Sequence, residues 1–174
     1  MRLARFSALL LLLAGTAGAF SLTLQDRPLQ AVPHQTPDSS STQLLHMIET
    51  DGARQTAETL NKTHKWSEVR QAVSSGQPDS ARVIPALMPL ADPSTARSLR
   101  LALRYALPTH PAAVLASTTQ AKDPNFSTQA VCSPEGMPRS WRIRARQAVM
   151  AMHDIHFSVR ADTCLKALDG PLTP

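Results

Sequence analysis

Prolines recur along this chain at short intervals, and they limit the length of any helix that it can form. The sequence contains 14 prolines but only 6 glycines in 174 residues. A proline inside a helix removes a backbone hydrogen bond and clashes with the preceding turn, so helices tend to begin or end near one. Alanine and leucine dominate the segments between the prolines, and apolar residues recur there at helical spacing. The sequence therefore predicts a protein of short helices.

The segment 92–107 shows the clearest helical pattern. Asp92 can accept hydrogen bonds from the free amides of the first turn, and Pro93 suits the first helical position. One apolar face follows, formed by Ala96, Leu99, Leu103 and Ala106. Similar patterns elsewhere predict an all-α fold: a compact bundle of about six or seven short antiparallel helices in one domain, residues 42–174. The polar stretch 20–41 shows no such period, and we expect a flexible leader there.

The first nineteen residues have the layout of a secretory signal peptide. Arg2 and Arg5 precede an unbroken apolar run, and Ala17 and Ala19 stand at the −3 and −1 positions of a cleavage site. The run is much shorter than the ~20 residues that a membrane-spanning helix needs, although an uncleaved anchor is the alternative interpretation. We therefore expect a periplasmic or secreted protein with no membrane span after cleavage.

Two cysteines, Cys132 and Cys164, are the only ones in the chain. An exported protein can keep a disulfide, and an even count fits one bridge. Two thiols alone cannot complete a four-ligand zinc site, and a redox-active pair normally has the spacing C-x-x-C. We therefore predict a structural disulfide between Cys132 and Cys164 that ties a loop to the C-terminal helix.

The charge of the chain is only mildly basic. Its formal net charge of +5 falls to about +3 when Arg2 and Arg5 leave with the signal peptide. A nucleic-acid-binding protein usually carries a much denser positive field. Aromatic residues make up only 4% of the chain, which leaves few rings for stacking on single strands. We therefore expect no nucleic-acid partner.

Three stretches of sequence carry a resemblance to known proteins. They are "WSEVRQAVSSG", "SLRLALRYAL" and "HPAAVL", in this order and followed by a late cysteine pair. In these features the chain resembles small exported helical proteins of Gram-negative bacteria. In general character it is similar to periplasmic immunity proteins, which neutralise secreted cell-wall-degrading toxins. The resemblance covers Leu44 to Leu168 and lies in residues at packing positions, so it implies a shared fold and carries over no catalytic residue.

The most suggestive group of metal ligands is formed by His153, Asp154 and His156. On a helix, His153 and His156 would be i, i+3 neighbours and could share a metal ion. Alternatively, they are polar residues near a helix end, where histidine suits the helix dipole. The sequence contains no signature of a hydrolase elbow, a nucleotide-binding loop or a zinc protease. We therefore expect no enzymatic activity and no cofactor, with metal binding by the histidine pair as an alternative.

Three arginines, Arg97, Arg100 and Arg104, fall at i, i+3, i+7 spacing on one face of the predicted helix 92–107. One interpretation is a solvated helix surface. The other is a docking face for an acidic partner protein or an anionic envelope polymer, because the guanidinium fork binds carboxylates well. The long aperiodic segment 118–138 is expected to be pinned at its cysteine and to present Phe126 to the same partner.

These observations together favour binding over catalysis as the function. The most concrete form is an immunity or inhibitor protein, whose loop or basic helix face covers the active cleft of a secreted toxin. An envelope adaptor or assembly factor is the alternative from another class of protein, and a metal-binding protein that uses His153 and His156 is a third.

Overall fold

The computed structural model describes residues 40–121, 123 and 125–170, and within these residues the fold is all-α with no strand. The nine α-helices are α1 (Ser40–Asp51), α2 (Ala53–Thr63), α3 (Trp66–Ser74), α4 (Ser80–Leu87), α5 (Pro93–Ala106), α6 (Pro111–Ser117), α7 (Thr128–Cys132), α8 (Arg139–Met150) and α9 (Ser158–Leu168). Short 3-10 turns follow α4 at Met88–Leu90 and precede α9 at Ile155–Phe157. The predicted signal peptide, the predicted leader up to residue 39 and the last four residues lie outside the described residues.

The prediction of an all-α compact fold is confirmed, although the described part of the chain has more helices than the six or seven expected. One added boundary is Gly52, whose φ of 84° ends α1 and starts α2. The other is α7, which forms inside the segment that showed no helical period. Helix α1 begins at Ser40, two residues before the predicted start of the domain at residue 42. Ser41 belongs to α1, is fully buried, and donates its backbone N–H to the Gln77 side chain at 2.8 Å.

Helix α5 begins and packs as its sequence predicts. The Asp92 side chain accepts hydrogen bonds from the backbone N–H groups of Ser94 at 2.9 Å and Thr95 at 3.1 Å. Pro93 occupies the first turn. The four predicted apolar positions are the buried residues of this helix: Ala96, Leu99, Leu103 and Ala106. Helix α5 packs against α3, which precedes it in the chain, and against α7, which follows it.

Prolines mark several helix starts, as the sequence indicates. Pro93 and Pro111 stand in the first turns of α5 and α6, and Pro138 directly precedes α8. Pro85 differs, because it lies inside α4, which continues to Leu87 before the 3-10 turn begins. A proline can therefore remain in a short helix here, where its missing N–H removes one bond from a helix of only eight residues.

Gly76, which follows α3, allows a close approach between two helix ends. Its φ is 64°, and a Cβ built at this position would lie 2.8 Å from the Cβ of His110. His110 directly precedes α6. Any larger residue at Gly76 would therefore strain the backbone and push the start of α6 away.

The predicted disulfide is present. Cys132 at the end of α7 is joined to Cys164 in α9, with 5.2 Å between their Cα atoms. Both cysteines are fully buried, and α7 and α9 are packed together around them. The bridge therefore ties the loop region to the C-terminal helix, as expected. None of the helices in the described residues combines the length and the apolar character that a bilayer crossing requires.

Candidate protein-binding surface

Arg104 has a structural role that its sequence position does not reveal. Its guanidinium reaches from α5 to the segment after the disulfide-bonded helix α7. There Nη2 donates to the backbone carbonyl of Ser133 at 2.6 Å and to that of Glu135. These partners are 29 and 31 residues away along the chain. Arg104 therefore holds the 133–135 turn against α5 and is not simply displayed to solvent.

Trp141 completes this contact from α8. Its indole Nε1 donates to the backbone carbonyl of Arg104 at 2.7 Å, and its ring centroid lies 5.5 Å from the guanidinium carbon. Trp141 is buried, as a core residue would be. Burial lowers the pKa of Arg104, and the nearby charge of Arg100 lowers it further. The charge of Glu135 acts in the opposite direction, so the guanidinium groups of Arg100 and Arg104 lie here beside a carboxylate.

Arg97 occupies a different environment, about two turns nearer the start of α5 than Arg104. Its side chain is exposed, and its Nε donates to the backbone carbonyl of Pro93 in the same helix at 3.2 Å. Within the described residues it forms none of the observed ion pairs. Of the three predicted binding arginines, Arg97 is therefore the exposed one, whereas Arg100 and Arg104 are half-buried.

An open groove of about 780 Å³ lies between α5 and the segment 118–138. Arg100 and Arg104 line one side of it, and the segment supplies the remaining lining residues, Asp123, Ser127, Gln129, Ala130, Ser133, Glu135 and Gly136. The fold thus brings together the two elements that the sequence proposed for binding. The groove carries charges of both signs, so it suits a polar partner better than a purely anionic polymer.

Phe126 does not extend from this segment, which corrects the expectation that the loop presents it. Only 9% of its surface is exposed, and it packs with the hydrophobic core. Its backbone carbonyl accepts from the N–H of Thr119 at 3.1 Å, and Asp123 Oδ1 accepts from the N–H of Phe126 at 3.0 Å. A further hydrogen bond at 2.9 Å joins the hydroxyls of Thr118 and Thr128. The segment is therefore fastened at several points and not at Cys132 alone.

Two exposed apolar side chains on α5 were missed by the sequence reasoning. Leu101 is 42% exposed and Tyr105 is 60% exposed. With Arg97 they fall at i, i+4, i+8, so the three share one face of the helix. The sequence could have indicated both residues, because they lie on the side of α5 opposite its apolar stripe and Tyr105 is the only tyrosine in the chain. We call Arg97, Leu101 and Tyr105 the α5 surface.

The two histidines proposed as a metal pair do not share a helix face. Helix α8 ends at Met150, His153 lies in non-helical backbone, and His156 belongs to the 3-10 turn before α9. Asp154 instead accepts the backbone N–H of His156 at 2.9 Å, which caps that turn. Over the described residues, no three His, Cys, Asp or Glu side chains come close enough to hold a metal ion. The prediction that His153 and His156 are i, i+3 neighbours on one helix is therefore wrong.

Comparison with known proteins adds no template for this surface. No protein-family model, no curated protein and no solved structure matches the chain. The similarity to periplasmic immunity proteins therefore stays a prediction from the residues quoted above.

Proposed function

We propose that this protein is a small exported binding protein without catalytic activity, and that it holds a partner protein on the α5 surface. The observation that carries this proposal is the exposure of Leu101 and Tyr105 beside Arg97 on one rigid helix. Tyrosine and arginine are enriched among the residues that dominate binding energy at protein interfaces. Tyrosine offers a large contact area at a low cost in side-chain entropy.

The charge of the surface favours an acidic partner. Arg97 has an exposed guanidinium, and the adjacent groove adds the charges of Arg100 and Arg104 together with those of Asp123 and Glu135. Arg97 would donate a charge-assisted hydrogen bond to a carboxylate of the partner. None of the ion pairs among the described residues of this chain includes Arg97. The mixed charges of the groove would then form the polar rim that usually surrounds an apolar contact.

The most concrete form of this function is an immunity or inhibitor protein. Its support is the signal-peptide-like N-terminus, the disulfide between Cys132 and Cys164, which suits an oxidising compartment, and the sequence resemblance. The mechanism would be occlusion: α5 and the groove cover the active cleft of a secreted toxin. An envelope adaptor is the second candidate, because the same surface serves equally well to dock a non-enzymatic partner.

Site-specific cross-linking tests the proposal. A photoreactive amino acid is placed at Tyr105, and a matched control carries it at Glu58, which is exposed on α2. We expect a discrete cross-linked partner from Tyr105 and none from Glu58. With that partner purified, Tyr105→Ala should weaken binding about 30-fold, the effect of losing a contact worth about 2 kcal/mol. Unchanged affinity in Tyr105→Ala and Leu101→Ser would refute the α5 surface as the binding site.

The activity of the partner separates the two candidates. If the partner is a secreted hydrolase, its rate is measured against increasing concentrations of this protein. Complete inhibition at one equivalent supports the immunity function, whereas full activity of the saturated complex supports the adaptor. Arg97→Glu should reduce the association rate and remove most of its salt dependence, because a rim charge acts mainly through long-range attraction.

A further inference from the structure

A second group of side chains lies at the junction of α8 and α9, away from the α5 surface. The sequence there reads "MAMHDIH" from Met150 to His156. An open groove of about 350 Å³ is lined by Met150, Met152 and His153, and also by Asp154 and Asp162. Helix α8 ends at Met150, and Met152 and His153 line the groove from the non-helical backbone that follows it.

We propose that Met150, Met152 and His153 bind a soft monovalent metal ion, Cu(I). Thioether sulfur and imidazole nitrogen are the neutral donors that select Cu(I), whereas zinc sites rely on thiolate, imidazole and carboxylate. The two cysteines cannot take part, since both are buried in the disulfide. This ligand set differs from the histidine pair suggested by the sequence, because His156 does not line the groove. The inference is independent of the proposed partner binding.

The donor atoms are accessible to an incoming ion. Met150 is 54% exposed and His153 is exposed, while Met152 is half-buried against the core and would form the floor of the site. Among the described residues, the imidazole of His153 has no hydrogen-bond or ion-pair partner that would compete for its lone pair. The carboxylates of Asp154 and Asp162 in the same groove add negative charge that offsets the positive charge of Arg146 beside Met150.

One contact must be exchanged when the ion binds. The sulfur of Met150 lies 2.9 Å from Nη1 of Arg146, which donates to it. Arg146 also forms an ion pair with Asp169 at 3.1 Å through Nε. Since that carboxylate remains in place, Arg146 keeps a partner for its charge when Met150 turns to the metal. A thioether is a weak acceptor, so its loss from Arg146 costs little.

A competition titration tests the site on the purified protein. Cu(I) is supplied under anaerobic conditions as its coloured complex with bicinchoninate, with a non-thiol reductant that leaves the disulfide intact. We expect the wild-type protein to withdraw one equivalent of Cu(I). Mutating a residue that only supports a metal ligand typically weakens metal binding about 10- to 100-fold. The double variant Met150→Leu with Met152→Leu removes two ligands, so it should weaken Cu(I) binding at least as much. His153→Asn should have a similar effect, and the matched control His156→Asn should bind as the wild type does.

Folding of the variants is checked by circular dichroism, and methionine-to-leucine changes nearly conserve side-chain volume. Three results would each overturn the proposal. The first is failure of the wild type to withdraw Cu(I) from the chelator. The second is binding by the double leucine variant that equals binding by the wild type. The third is an affinity loss in His156→Asn as large as that in His153→Asn. A parallel titration with Zn²⁺ is expected to show much weaker binding. Equal affinity for Zn²⁺ would also overturn it, because thioether ligands could not then be responsible.

Discussion

Replacing Arg104 by methionine should destabilise the fold, although the sequence places this arginine on a candidate binding face. Methionine retains an unbranched stem of similar reach and removes the guanidinium. The change deletes the hydrogen bonds from Nη2 to the carbonyls of Ser133 and Glu135, together with the contact at 5.5 Å above the ring of Trp141. The 133–135 turn then loses its hydrogen bonds to α5, while the disulfide and the buried side chains of Val131 and Met137 still hold the surrounding segment.

The size of the effect follows from these contacts. Each hydrogen bond from a charged donor contributes about 1.5–3 kcal/mol, and a cation–π contact at a partly exposed site about 0.5–1 kcal/mol. Against this, methionine removes a buried Nε that has no partner within the described residues, a relief of about 1–3 kcal/mol. The change also ends the repulsion from Arg100 that helps to lower the pKa of Arg104. Since water partly replaces the lost partners, we expect a net loss of about 2 kcal/mol, or about 4–8 °C in melting temperature.

Thermal and urea unfolding, followed by circular dichroism, measure this loss. The matched control is Arg97→Met on the same helix, because within the described residues the guanidinium of Arg97 bonds only to the carbonyl of Pro93. An exposed substitution of this kind changes stability by less than about 0.5 kcal/mol. Arg104→Lys should recover little, because an ammonium group cannot reproduce the planar fork over the ring of Trp141. Equal melting temperatures for the Arg104→Met and Arg97→Met variants would refute the structural role of Arg104.

Three further outcomes follow from the fold. Joint replacement of Cys132 and Cys164 by serine should lower the free energy of unfolding by about 3.7 kcal/mol, from the chain-entropy relation for a loop of this length. Urea unfolding measures this loss. Thiols that are freely alkylated in the unreduced native protein would contradict the bridge. Asp92→Ala should lower the melting temperature at pH 7, and the difference should persist near pH 4 and shrink only as the pH is lowered well below about 3. Hydrogen bonds from the side chains of Ser94 and Thr95, and from their backbone N–H groups, hold the pKa of Asp92 below its usual value, so its stabilisation is fully present above the unfolded pKa of about 3.9 and is lost as pH falls through the lower folded value; a difference already lost near pH 4 would contradict this. Gly76→Ala should destabilise more than Gly52→Ala, because both have positive φ but only the first meets neighbouring atoms; equal urea midpoints would show that no close approach exists.

Much of the fold could be predicted because its signals are local. The capping of α5 by Asp92, the position of Pro93 and the four apolar residues of its buried face lie within one stretch of sequence. A helix is stabilised by neighbours three or four positions apart, so these residues suffice to predict it. The disulfide could also be predicted, since with Cys132 and Cys164 as the only cysteines a single pairing exists.

The candidate site was decided by tertiary structure. A helical period shows that Arg97 and Arg104 share a face, but it cannot show that Arg104 reaches carbonyls 29 and 31 residues away while Arg97 faces solvent. In the same way, the sequence places Tyr105 opposite the buried stripe of α5, and only the packing of the other helices determines that nothing in the described chain covers it. Phe126 shows the reverse case, because its burial depends on backbone hydrogen bonds that fold its segment onto the core. Local spacing determines which residues share a face of a helix, and contacts between residues distant in sequence determine which of those faces remain open to a partner.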